Sequence, residues 1–491
     1  MKQVAFIIIL CTSLSCNAQT ADPHSVYEKF KQQAKQEYSD FRRQANAQYA
    51  KFLEESWKRF NALPAIPKPK DETIPPVIVV EEDKDKPIEN RAIPIKDVVT
   101  TPQPLSQPIP VEPIKEQQQP NEEIVKFEYY GTECAIRINN EVRNMLSNLK
   151  SDNSNLSKVW TSLSDKGILN NTIRDCLSLR ISLSLCDWAY LNLLFSLSKV
   201  IFSNCNETTM LTSYIYCQSG YRMRLGRNGQ NLYLLYASEH GIYDMDYFKI
   251  DNIKYYPFKC NENQLEICDA SFPQEKPLSL YIPLQQTFEY KPSNLRTLIS
   301  KRYPDVEVRV QVNTNMIDFY NTYPTSEING NVMTRWAMYA NTPLDEHVKS
   351  QLYPKLTEKI SGLNQLEAAN KLLNWVQTAF VYEYDDKVWG HDRAFFSEET
   401  LYYPYCDCED RAILFTRLVR DLLGLQTILV YYPGHLACAV CFTDKVAGDY
   451  ILLDGKRFVI TDPTYIGAPV GKTMPDMDNT QASVILLKHN I

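Results

Sequence analysis

Three reactive residues stand far apart in this chain, each at a place where the local pattern changes. Cys408 is followed by Glu409-Asp410-Arg411 and then by the apolar run Ala412-Ile413-Leu414-Phe415, which Leu418, Val419, Leu422 and Leu423 continue at helical spacing. Gly424 then marks the helix end. Cys408 is thus expected at a helix N-terminus, where bare N–H groups and the helix dipole favour a thiolate. Glu409 and Asp410 oppose that by like charge, so a lowered thiol pKa would need a histidine close by. His435 follows the turn Pro433-Gly434 and opens an apolar run to Phe442, while Asp462 ends the run Arg457 to Thr461. A cysteine, a histidine and an aspartate of this kind form a nucleophile, a base and an orienting acid. They meet if the Asp462 strand lies antiparallel beside the His435 strand, which a simple hairpin at Asp454-Gly455 would not achieve.

Cys408-Glu409-Asp410-Arg411-Ala412, then His435-Leu436-Ala437, then Asp462-Pro463-Thr464 resembles the transglutaminase-like superfamily, permuted relatives of papain. The helical stretch Leu366 to Val381 resembles the helix that precedes the cysteine in that family. The resemblance spans roughly Asn364 to Met474 and is closest to exported bacterial members of unassigned substrate. It implies a papain-like α+β domain and acyl transfer at an amide carbonyl, with Cys408 as nucleophile, His435 as general base and Asp462 as orienter. The activity expected first is a peptidase or amidase. A crosslinking transferase and a non-catalytic binding or assembly protein keeping the fold are the alternatives. Trp389 and Tyr405 are the candidates for the oxyanion donor or substrate wall. Cys406 is offset from the helix start and reads as a cleft-wall thiol, and His391 reads as paired with Asp392 in a loop. The sequence contains neither a Gly-rich phosphate loop nor paired metal-ligand spacing, so neither cofactor nor metal is expected. A protein or peptide is the expected substrate.

The elements that must position these residues occupy the last third of a 491-residue chain, long enough for two or three domains. A net charge of −7 argues against nucleic acid as a partner. Residues 1–18 read as a secretory leader, implying export to a periplasm or cell surface, with a lipid anchor at Cys16 the less favoured variant. No transmembrane helix is expected in the mature chain: the apolar stretch Leu183 to Phe202 carries Asp187, Asn192 and Lys199 and reads as a core helix. Cleavage after Ala18 leaves eleven of thirteen cysteines, an odd number in a long chain and no disulfide scaffold.

Residues 24–62 read as one long amphipathic helix. Tyr27, Phe30 and Ala34 recur as Tyr38, Phe41 and Ala45, and again as Tyr49, Phe52 and Ser56, an eleven-residue period. That stripe suggests self-association or docking. Thirteen of the 28 prolines lie between Pro64 and Pro120, so 63–125 reads as a coreless linker that tethers the helix. An α+β domain is expected over 126–269. Its order, Cys205-Asn206-Glu207 before a helix, then Gly220, then strands, echoes the later unit and suggests a degenerate copy. A β-rich connection is expected over 270–342, on the alternation in Leu278 to Ile282 and Val306 to Val312. The catalytic domain should then occupy 343–491, with Pro343 to Ile360 helical and Glu383 to Tyr405 a mobile cleft wall over Cys408.

Overall fold

A computed structural model describes residues 23–69, 74–78, 89–101, 120–165 and 167–488. The leader 1–18 with Cys16, and the side chains of Tyr27, Phe30 and Ala34, lie outside the described residues. The fold is mixed α+β, with thirteen helices among the described residues, a near-closed six-stranded barrel and a half-barrel sheet.

The N-terminal helix α1 (Pro23–Glu55) is rich in Lys, Gln, Glu and Ala, good helix formers, with proline at its first position. Its end corrects the expected boundary. Trp57 to Asn61 is strand β1 (Trp57–Asn61), not a last helical turn, because it pairs antiparallel along its whole length with a strand of the first sheet. The tether is corrected as well. Ala45, Tyr49, Ala50 and Leu53 are buried against helix Asn153–Asp165 and its surroundings, and Tyr49 packs on Trp160 with ring centroids 4.6 Å apart. Asn46 sits in that contact with its amide satisfied: Trp160 Nε1 and Gln218 Nε2 donate to Asn46 Oδ1 at 3.0 and 2.9 Å. The helix belongs to the body of the protein.

The described parts of the Pro-rich stretch pack against the body, with Ile93 and Val99 buried in its cores. The Leu63 N–H bonds to Tyr247 O, the Ile93 N–H to Tyr450 O, and Arg91 grips Asp449 with two nitrogens. Strand β2 (Asp97–Val99) joins the second sheet in parallel. The following body starts at strand Glu122–Tyr129, paired with Thr132–Asn139, slightly earlier than its composition suggested.

The two sheets share one design. Helix α2 (Cys205–Gln218) leads into β3 (Met223–Asn228), β4 (Asn231–Ser238), β5 (Phe248–Ile250), β6 (Ile253–Pro257) and β7 (Gln264–Cys268). Helices α3 (Gln365–Ala379) and α4 (Cys408–Leu423) precede β8 (Gln426–Tyr432), β9 (His435–Cys441), β10 (Tyr450–Leu453), β11 (Lys456–Thr461) and β12 (Ser483–Leu486). The first sheet is ordered β1-β7-β3-β4-β6-β5 and the second β2-β12-β8-β9-β11-β10. These are the same order, strand for strand. They differ at the edge, where β1 is antiparallel to its neighbour and β2 parallel. One face of each sheet enters a core that runs through the whole molecule. The other face closes a small cluster of its own, around Leu235, Phe248 and Ile267 in the first and Ile428, Ala439 and Ile460 in the second. Burial on both faces explains why β8 and β9 are apolar almost throughout.

Residues 270–342 are not the β-rich region expected. The stretch Leu278 to Ile282 alternates, and Leu278 N–H bonds to Ala237 O, but the next two amides are taken by side chains: Ser279 N–H bonds to Asp187 Oδ2 and Leu280 N–H to His240 Nε2. Only Arg296–Ile299 and Glu307–Val310 form a hairpin, and helices Thr314–Thr322 and Thr334–Asn341 fill much of the rest. Among the described residues, no helix is long and apolar enough to cross a membrane.

Candidate functional site

Cys408 is the first residue of α4, and Gly424 closes that helix in the left-handed conformation (φ 65°). His435 is the first residue of β9, and Asp462 follows the last residue of β11. Strands β9 and β11 are antiparallel, with Cys438 opposite Thr461, so the two residues meet at one edge. The intervening chain forms β10, which hairpins onto the far side of β11. That placement leaves β9 and β11 adjacent.

Asp462 is fully committed. Its Oδ1 accepts the Thr464 and Tyr465 amides at 2.8 and 3.2 Å, and its Oδ2 lies 2.8 Å from His435 Nε2. A carboxylate can only accept, so Nε2 carries the proton of that bond and Nδ1 is the ring nitrogen left to act as a base. Nδ1 is buried and has no hydrogen-bond partner among the described residues. Gln377 of α3 fixes the Asp462 loop from behind. Its Nε2 donates to the carbonyls of Asp462, Tyr465 and Ala468 at 3.0, 2.8 and 3.1 Å. Arg411 fixes α4 to the end of α3 by donating to Gln377 O and Phe380 O at 3.2 and 3.1 Å. Asp410 holds the helix start, accepting the Phe395 amide at 2.8 Å and the Asp407 amide at 3.2 Å.

The surroundings of the thiol disfavour its charged form. Burial, Asp407 and Glu409 push the Cys408 pKa well above the ordinary cysteine value, and the Leu436 backbone N–H pulls it back only in part. The sulfur lies 3.8 Å from Glu409 Oε2. Placement at a helix N-terminus is therefore outweighed by desolvation and by two adjacent carboxylates. None of the three side chains is more than 2% exposed.

Around Glu409 the charges form a buried group. Arg335 bonds both oxygens of Asp392 and lies 3.7 Å from Glu409 Oε1. This corrects the expected His391–Asp392 pair: His391 is exposed and Asp392 belongs to Arg335. Asp385, Asp392 and Glu409 bring three carboxylate oxygens within 4.8 Å of one another, a spacing that could hold a cation, and Arg335 supplies positive charge there.

The two candidates for the oxyanion donor are Trp389 and Tyr405. The Trp389 ring packs against Phe395 and Tyr403 beneath the Arg393 guanidinium, and Tyr405 points outward from its short strand, 42% exposed. Among the residues that sequence reasoning missed is Tyr382. Its hydroxyl is buried with no partner among the described residues, its ring lies under the Arg411 guanidinium, and burial followed by the Cys408 charge raises its pKa. The signal was available: Tyr382 lies just beyond α3, and Val381–Tyr382 pairs in parallel with Tyr405–Cys406, directly before the nucleophile. Cys406 itself is buried with its thiol 3.9 Å from Val381 O. The segment 394–401 is largely buried, including helix Ser397–Tyr402, so this part of the expected cleft wall is packed into the body.

In the first unit the equivalent places hold other residues. Cys205 opens α2, but Asn231 begins β4 and Phe258 follows β6, where the second unit has His435 and Asp462. Compared with protein-family models, with curated proteins and with solved structures, the chain matches none.

Proposed function

We propose that this chain is an exported cysteine acyl-transfer enzyme of the transglutaminase-like kind, acting on amide bonds as a peptidase or amidase. The observation that carries the reading is the bare, buried Nδ1 of His435, with Nε2 tied to Asp462. In the reaction His435 Nδ1 takes the Cys408 proton and the sulfur attacks the amide carbonyl. The Cys408 backbone N–H and the Tyr382 hydroxyl donate to the developing oxyanion, the hydroxyl having no hydrogen-bond partner among the described residues. The C–N bond then breaks, the leaving amine takes the proton from His435, and a thioester remains on Cys408. Water activated by His435 releases the acid; an amine in its place would give a crosslink.

The buried site and the carboxylates beside the thiol favour one rival, a binding or assembly protein that keeps the fold without turnover. Incubation with p-nitrophenyl acetate, followed by peptide mass spectrometry, separates the two. The enzyme reading expects the acetyl group on Cys408, with a loss of at least about a hundredfold in acylation on His435→Ala. The exposed thiol of Cys205 is a built-in comparator. Acylation of Cys408 no faster than of Cys205, and indifferent to His435, would favour the binding protein.

We also propose that the two α/β units arose by internal duplication, the first having lost the base and the orienter. Their identical strand order supports this.

A further inference from the structure

The Pro-rich stretch, which reads as a mere spacer in sequence, runs directly past the candidate site. Ile74 N–H donates to Gly434 O at 3.0 Å, and Gly434 is the residue before His435. Three residues on, Val77 O accepts the Ile466 N–H at 2.8 Å, and Ile466 lies four residues beyond Asp462. Ile78 continues this as a parallel bridge with Ile466. Ile74 and Val77 turn inward onto Tyr465, Ala468 and Met474, while Pro75 and Ile78 face solvent. The segment thus spans from the turn that carries the base to the loop that carries the orienting acid.

Its composition suits a removable occupant. Pro75 and Pro76 have no N–H to donate and fix an extended backbone, so the segment is preorganised at low entropic cost. It is pinned by single backbone bonds at its two ends and by two apolar side chains. Main-chain bonds with inward side chains three residues apart are how an extended, polyproline-like peptide docks on a protein surface.

We infer that Ile74 to Ile78 is an intramolecular occupant of the peptide-binding groove beside His435 and Asp462, and that it holds the enzyme shut. The inference rests on the acyl-transfer reading above and extends it in two ways. The enzyme is self-inhibited until the strap is displaced. Its substrates are extended peptides with apolar residues at the two positions that Ile74 and Val77 now fill.

The test is iodoacetamide labelling of Cys408 in the full-length chain, by peptide mass spectrometry, with Cys205 as the exposed reference. Two variants loosen the strap. Ile74→Ser with Val77→Ser removes both inward side chains, and Ile74→Pro removes a single backbone donor. Each is compared with the unaltered chain, alone and with His435→Ala, after a thermal melt shows the fold retained. At least tenfold faster labelling of Cys408 in the strap variants is expected, with Cys205 unchanged. Addition of the peptide Ile-Pro-Pro-Val-Ile should reverse the gain. Should the double variant fail to fold, Ile74→Pro decides. Unchanged labelling of Cys408 in a folded strap variant overturns the inference and leaves the acyl-transfer reading to its own test. Faster labelling that ignores His435→Ala keeps the strap as a cover and removes the enzyme it was said to inhibit.

Discussion

At the scale of single residues, the charge around Cys408 decides what the sulfur can do. Glu409 lies 3.8 Å from it and, after burial and Asp407, helps to push its pKa up. Removing a negative charge beside a thiol stabilises the thiolate, so the pKa must fall. Glu409→Gln should therefore move the alkylation profile of Cys408 to lower pH and raise its rate at pH 8 about threefold or more. Rates across pH 6 to 10 check this, and an unmoved profile would show that Glu409 does not control the thiol. The three reactive residues were legible in the sequence because each carries a local signature: a helix start, a turn before a strand, an aspartate before proline. Tyr382, Gln377 and Arg335 were not. They reach the site from other elements, Arg335 from 73 positions upstream of Cys408, and only folding brings them there.

At the scale of elements, periodicity served well wherever the backbone satisfies itself. Helices α3 and α4 and strands β8, β9 and β11 lie close to where apolar spacing, Gly424 and Pro433-Gly434 put them. It failed over 278–282, because after one bond from Leu278 N–H to Ala237 O, Asp187 and His240 supply the acceptors that a neighbouring strand would have supplied. Side chains that replace a ladder leave the alternation intact, so sequence cannot tell the two apart. A similar substitution ties three helices together. Glu398, in helix Ser397–Tyr402, accepts from the Asp345 amide at 2.6 Å, from Gln285 Nε2 at 2.8 Å and from the Tyr320 hydroxyl at 3.3 Å. Burial nevertheless pushes its pKa up to about 7, from 4.5. A carboxyl whose folded pKa is raised binds more protons folded than unfolded between those two values. Its contribution is fully present below about pH 4.5 and declines as pH rises to about 7, by at most about 3 kcal/mol. Glu398→Gln should flatten that part of the stability profile, which urea unfolding at pH 5, 6, 7 and 8 would measure. A slope identical to that of the unaltered chain would place the titration elsewhere.

At the scale of the whole molecule, the described segments between residues 23 and 101 bind the two α/β units together. Strand β1 extends the first sheet and β2 the second, and the chain between them touches both. The sequence showed the parts of this belt, a periodic helix and a proline-rich stretch, without showing where they go. A stripe of Tyr, Phe and Ala reads the same whether it meets a second copy or its own body, and prolines forbid a core without forbidding contact. The buried positions settle it for the second half of α1, whose Ala45, Tyr49 and Leu53 are already covered from within and are not free for a partner. A tethered helix could be altered with no effect on the stability of the body. An integral one could not. Leu53 is fully buried in the common core, so Leu53→Ala should lose its burial and leave a cavity, at a cost of about 2–5 kcal/mol. The urea midpoint of the full chain should fall accordingly. Phe41, 39% exposed on the same helix, provides the contrast: Phe41→Ala should change the midpoint little. Equal, negligible effects from both would return α1 to the status of a tethered appendage, and with it the belt that carries Ile74 to Ile78 across the site.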